Sequence, residues 1–125
     1  MTALHEARLH LDKAEEFLQA AEMSLELELF NAATSDAVNS GINSKDATCL
    51  KLTGRTHKSE NHSEAVAELK HAGKAGSELA PTLSRLIKLK TKSQYQSVSV
   101  AQQDARNAVD WARRLYEGAA AIVNS

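Results

Sequence analysis

The chain has 125 residues, 42% of them hydrophobic but only 4% aromatic, with 15 Lys or Arg against 16 Asp or Glu. That suffices for one domain whose core is alanine, leucine and valine. Five glycines and one proline are too few for an all-β chain with many turns, and no stretch approaches the roughly 18 apolar residues of a membrane span.

Residues 1–12 read as an amphipathic helix containing acids, not as a basic leader followed by an apolar run, so no signal peptide is expected. The lone cysteine, Cys49, excludes an internal disulfide framework, fits a reducing cytoplasm and reads as a buried thiol. The first predicted helix runs from about Leu4 to Leu27. Leu4, Ala7, Leu11, Ala14, Leu18, Ala21 and Leu25 recur at steps of three and four, a buried seam widened by Phe17.

Phe30 and Asn31 mark the following corner. A second helix is predicted from about Ala32 to Leu52, closed by Gly54 as its C-terminal cap. Ala33, Ala37, Gly41, Ser44 and Thr48 form a stripe of small residues that permits close helix approach, and Val38, Ile42, Cys49 and Leu52 form the apolar contact. Between them Asp36, Asn39, Asn43 and Asp46 make a polar stripe, read as solvent-facing. Any part of it that is buried needs partners, and Arg55 is a candidate for Asp46.

The joint that follows, Gly54 to His62, crowds Arg55, His57, Lys58 and His62 into one short polar segment. An arginine that holds a phosphate beside a histidine that moves a proton is the minimum equipment for cleaving a phosphodiester without metal. The same residues also suit a solvated loop in which Arg55 pairs with Asp46 or Glu60 and His62 caps or packs.

A short third helix is predicted from His62 to His71, with Asn61 as N-cap and Glu64 completing a capping-box pattern. Gly73 to Ser77 reads as a loop. A fourth helix runs from about Glu78 to Lys92 with Pro81 in its first turn and Leu79, Leu83, Leu86, Ile87 and Lys90 on its inner edge. Arg85, Lys88 and Lys92 form a basic strip there. Residues 94–100, including Tyr95, read as extended. A fifth helix spans about Ala101 to Val123, with Trp111 off its apolar face, covering a bundle edge or meeting a partner. The predicted fold is an all-α antiparallel bundle of four to five helices in a single domain, 1–125.

Charge is uneven along the chain. Residues 1–44 carry two cations against eight acids, and residues 45–92 carry ten cations against five acids. The basic middle either forms an anion-binding face or is neutralised by the acidic first helix.

The stretch Leu11-x-x-Ala14, then Ala20-Ala21-x-x-x-Leu25-x-x-x-Leu29-Phe30-Asn31-Ala32-Ala33-x-x-x-Ala37, resembles the opening of HEPN-domain proteins. Thr53-Gly54 through His62-x-x-Ala65-Val66-x-x-Leu69 is similar to that family's next joint and short helix. Tyr95 with Ala105-x-x-Ala108-x-x-x-Ala112 is similar to its closing segment. The resemblance implies a bundle of four or five helices, commonly a homodimer, in prokaryotic defence, toxin–antitoxin or nucleotidyltransferase-linked systems. Active members cleave RNA without metal through an arginine and a histidine separated by four to six residues. Arg55 and His62 have six residues between them; the residue after the arginine, often Asn, Asp or His in active members, is Thr56 here.

On that match Arg55 holds the phosphate and His62 is general acid or base. The N-terminus of a helix binds phosphate and disfavours the imidazolium form of His62. His57, Lys58, Asp46, Arg85 and Lys88 are the accompanying binding candidates. His57, His62 and His71 lack the Cys or acid of a zinc set, no glycine-rich phosphate loop is present, and no cofactor is expected. Expected partners are a second copy, RNA, and a protein such as an antitoxin or nucleotidyltransferase. The competing reading is a non-catalytic module that binds protein or nucleotide through its helix faces.

Overall fold

The computed structural model describes residues 1–58, 61–95 and 101–125, with residues 90–95 through their backbone only. Five helices follow in order: α1 (Ala3–Glu26), α2 (Phe30–Thr53), α3 (His62–Lys70), α4 (Lys74–Tyr95) and α5 (Gln102–Val123), with no strand among the described residues. The all-α bundle expected from periodicity is therefore the architecture found.

The seam of α1 is buried at Ala7, Leu11, Ala14, Leu18 and Ala21. It packs chiefly against α2, which also meets α5, α4 and α3. Being surrounded, α2 is buried without a break from Ser44 to Leu50. This is why the polar stripe does not face solvent as expected: Asp46 is only 5% exposed, and Asp36, Asn39 and Asn43 are half-buried. Small residues make the crowding feasible. A Cβ added to Gly41 would stand 2.6 Å from Leu86 Cδ2.

The α1–α2 corner lies slightly earlier than Phe30 and Asn31. Leu27 caps α1, Glu28 takes the left-handed conformation (φ 61°) and Leu29 is the N-cap of α2, so Phe30 opens α2 and packs on the core. Leu52, expected in the apolar contact, is 39% exposed. Gly54 (φ 79°) closes α2, its N–H donating to the Leu50 carbonyl.

The expected loop at Gly73 to Ser77 is a helix apart from Gly73 itself. Gly73 (φ 123°) makes the turn, and α4 starts at Lys74 with the Ser77 N–H donating to the Gly73 carbonyl. Gly76 is thus a packing glycine, because a Cβ there would meet the Leu69 carbonyl oxygen at 2.5 Å. Pro81 consequently sits inside α4, beyond its first turn. Residues 94 and 95 continue α4, whereas 96–100 of the expected extended segment lie outside the described residues, as do the side chains of Lys90, Lys92 and Tyr95 and the whole of Glu60.

Leu83, Leu86 and Ile87 of α4 meet Ala105, Ala108, Val109, Ala112 and Leu115 of α5 in the main core, with Trp111 partly buried along its edge. No described helix is long and apolar enough to cross a membrane.

Candidate functional site

The joint between α2 and α3 has no regular structure over residues 55–58, yet it is tied to the core by charge. Lys45, the largest fully buried side chain among the described residues, sits at the centre. Its ammonium donates to Asp46 Oδ1, Thr56 Oγ1 and the His57 carbonyl, each at 3.0 Å, and forms an ion pair with Glu68 of α3. The Thr56 hydroxyl donates to Asp46 Oδ1 at 2.5 Å. The His57 N–H donates to Glu68 Oε2 at 3.0 Å. Burial alone would depress the Lys45 ammonium, but Glu68 and Asp46 outweigh it and hold it above its ordinary value. Burial would likewise raise Glu68, and the hydrogen bonds from Lys45 and the His57 N–H reverse that and hold it low.

This network corrects the expected Asp46–Arg55 pair. The cation on Asp46 is its neighbour Lys45, because α2 turns both inward where α1, α3 and the joint converge. Arg55 is exposed and makes no ion pair among the described residues. Thr56, standing where active members of the resembled family often carry Asn, Asp or His, is drawn into the network by its hydroxyl.

A second set of contacts joins the network from α1. His10 is only 9% exposed, with Nδ1 2.9 Å from Asn43 Oδ1 and 3.9 Å from Asp46 Oδ2. Asn43 Nδ2 donates to the Asn39 carbonyl at 2.9 Å. Within the polar stripe of α2, Asn43 therefore spends its side chain on α1 and on its own backbone, and Asp46 spends its carboxylate on Lys45 and Thr56.

Among the described residues, three recesses adjoin the joint. An inner cleft of about 670 Å³ lies between α1, α2 and the start of α3, with His10, Phe17, Asn39, Asp46, His57, Lys58 and His62 on its walls. Asp36 also lines it, its carboxyl raised by burial. A terminal cleft of about 880 Å³ takes Arg55, Thr56, His57 and Lys58 from the joint and Glu6, His10, Asp12, Lys13 and Glu16 from α1. A groove of about 470 Å³ between α3 and α4 holds Asn61, His62 and Lys88.

Of the expected site residues, His57 and Lys58 thus share a cleft with Arg55 on one side and with His62 and Asp46 on the other. Arg55 and His62 share none of the three recesses. Arg85 is exposed on α4 and lines none of them, while Lys88 meets His62 in the groove. Acids of α1 share the terminal cleft with the cations of the joint, the proximity that the neutralising reading of the uneven charge requires.

His62 begins α3, where the Asn61 side chain accepts from the Ser63 N–H at 3.0 Å, as the capping pattern predicts. Cys49 is free and buried, its thiol pushed up to about 12, chiefly by burial. Lys45, Glu68 and His10 carry no motif that marks them. The only signal for Lys45 is a long cation amid the small-residue face of α2, and for His10 its place in the buried seam, three residues after Ala7 and four before Ala14.

A HEPN domain family model matches residues 7–121, from within α1 to within α5. The chain belongs to the HEPN domain family. Among the curated proteins none matches it. For a HEPN protein the α2–α3 joint, with its arginine, histidines and lysine gathered on two adjoining clefts, is the candidate functional site.

Proposed function

We propose that this HEPN protein binds RNA by its phosphates at the α2–α3 joint and cleaves it without metal. In this reading it acts as a cytoplasmic, homodimeric component of a prokaryotic defence or toxin–antitoxin type system, alongside a partner protein such as an antitoxin or nucleotidyltransferase. One observation carries the reading. Both polar groups of the His57 peptide are clamped, the carbonyl by Lys45 and the N–H by Glu68, while Arg55, His57 and Lys58 remain exposed. A loop held this firmly presents its cations without the ordering cost that a mobile loop incurs on binding.

Arg55 holds the phosphate through its fork of donors. His62, at the positive end of α3, takes the proton of the ribose 2′-hydroxyl, whose oxygen attacks phosphorus. His57 and Lys58 bind the flanking backbone, Asp46 braces the joint from within, and Lys88 and Arg85 extend the cationic track along α4.

Binding without cleavage is favoured by one geometric fact: Arg55 and His62 line different clefts within one chain. The deciding experiment is incubation of a mixed RNA pool in EDTA with the wild type, Arg55→Ala and His62→Ala. Cleavage by wild type alone upholds the proposal. Retention of RNA without cleavage, weakened by Arg55→Ala, establishes the binding module instead.

A further inference from the structure

Five titratable side chains, His10, Lys13, Glu16, His57 and Lys58, line both clefts, and of these His10 alone is buried. The Asn43 amide is oriented by its own donation to the Asn39 carbonyl, so the atom it turns to His10 is the oxygen, an acceptor. His10 Nδ1 must therefore carry a hydrogen. A histidine with both ring nitrogens engaged would have no proton to exchange. Here Nε2, on the far side of the ring, has no hydrogen-bond partner among the described residues, and His10 lines both the cleft that holds Arg55 and the cleft that holds His62. An imidazolium at this position has a counter-ion, Asp46 Oδ2 at 3.9 Å. Lys45 offsets only one of the two carboxylates beside it, Asp46 and Glu68.

From this we infer that His10 is a second proton-transfer residue of the site, a general acid acting through Nε2. The inference rests on the proposed RNA cleavage. His62 takes the proton from the 2′-hydroxyl, the 2′-oxygen bonds to phosphorus, the bond from phosphorus to the 5′-oxygen breaks, and that oxygen leaves with the proton from His10 Nε2. The products are a 2′,3′-cyclic phosphate and a 5′-hydroxyl end. Water then removes the proton from His62 and returns one to His10. Asn43 and Asp46 keep Nδ1 protonated throughout, so the exchange runs through one nitrogen.

The test compares wild type, His10→Asn and His10→Gln on a single-stranded RNA in EDTA. Asparagine places its amide near Nδ1 and keeps a donor for Asn43, whereas glutamine reaches only toward Nε2. A general acid predicts that both variants lose at least about 100-fold in kcat, with KM within about threefold. It also predicts that His10→Asn recovers to within a few-fold of wild type on RNA whose bridging 5′-oxygen is replaced by sulfur, a leaving group that needs no proton. Undiminished cleavage by His10→Asn, or an equal deficit on the sulfur substrate, overturns the role of His10 and leaves that of Arg55 and His62 standing. A wild type that cuts nothing removes both. If the variants do not fold, nitrogen NMR of the wild-type imidazole decides: neutral His10 must carry its hydrogen on Nδ1, and a hydrogen on Nε2 instead overturns the assignment.

Discussion

The Lys45 ammonium holds the carbonyl of His57 at 3.0 Å, so the exposed joint hangs from a lysine that is only 2% exposed. Removing one member of a buried ion pair leaves an uncompensated charge and costs about 3–5 kcal/mol. Lys45→Met should therefore lower unfolding free energy by about that amount, read as a urea midpoint shift at constant slope. A loss below about 1 kcal/mol would mean that water reaches Glu68 and Asp46 and that the clamp is weak.

The pH dependence of stability follows from the same pair. Glu68 is held below its ordinary value of 4.5 in the fold, so the unfolded chain binds the proton first as pH falls. Its contribution is present above about 4.5 and is lost as pH drops through the folded value. Lys45 is held above 10.5, so its contribution is present below that pH and is lost as pH rises through the folded value. Denaturation across about pH 3 to 11 should show both flanks in wild type. Glu68→Gln should flatten the acid flank.

Among the described residues the Arg55 guanidinium makes no ion pair, so it contributes charge without a side-chain tie to the fold. Arg55→Ala should leave the melting temperature within about 1 °C, since exposed positions away from special features change stability by less than roughly 0.5 kcal/mol. In the same protein RNA retention should fall and its salt dependence should flatten by about one unit of slope. A melting change of several degrees would reveal a structural role for the guanidinium.

The Cys49 thiol, fully buried and pushed up to about 12, should be inert in the folded protein. At about pH 8, near the ordinary thiol range, a disulfide reagent should label the native chain slower than the denatured chain by on the order of 10³. Equal rates would place the thiol on an accessible face.

Gly76→Ala and Gly118→Ala should differ despite the identical gain of about 1 kcal/mol in helix propensity. At Gly76 the new methyl meets backbone, the Leu69 carbonyl at 2.5 Å, and α3 and α4 must part, costing about 1–3 kcal/mol. At Gly118 it meets the end of the Leu79 side chain at 2.7 Å, which can turn aside. Thermal melts of the two variants should fall on opposite sides of one another, Gly76→Ala the lower.

The helical plan is legible because it depends on patterns within single helices. The α1 seam, the Gly54 and Asn61 caps and the apolar face of α5 are each readable from spacing and residue type. What escapes is whatever depends on neighbours. A lysine and an aspartate on α2 read as surface residues until three other elements enclose them, so Lys45 and Glu68 go unmarked and Asp46 is matched to the wrong cation. Gly76 reads as a loop residue because close packing and backbone freedom call for the same amino acid. His10 hides in the seam of α1, where its periodicity is that of an apolar residue.

The shortest helix has a consequence for how the site breathes. α3 buries only Ala65 and Leu69, and Glu68 is its tie to Lys45 and to the joint. Little apolar area holds it, so residues 55–58 and α3 should open together as one unit of local unfolding, exchanging their amide hydrogens well before α2 does. An opening of that kind would loosen Arg55 and shift His62 while leaving the α1–α2–α5 body intact, so the lifetime of the closed joint would limit how long the cleft can hold a ligand.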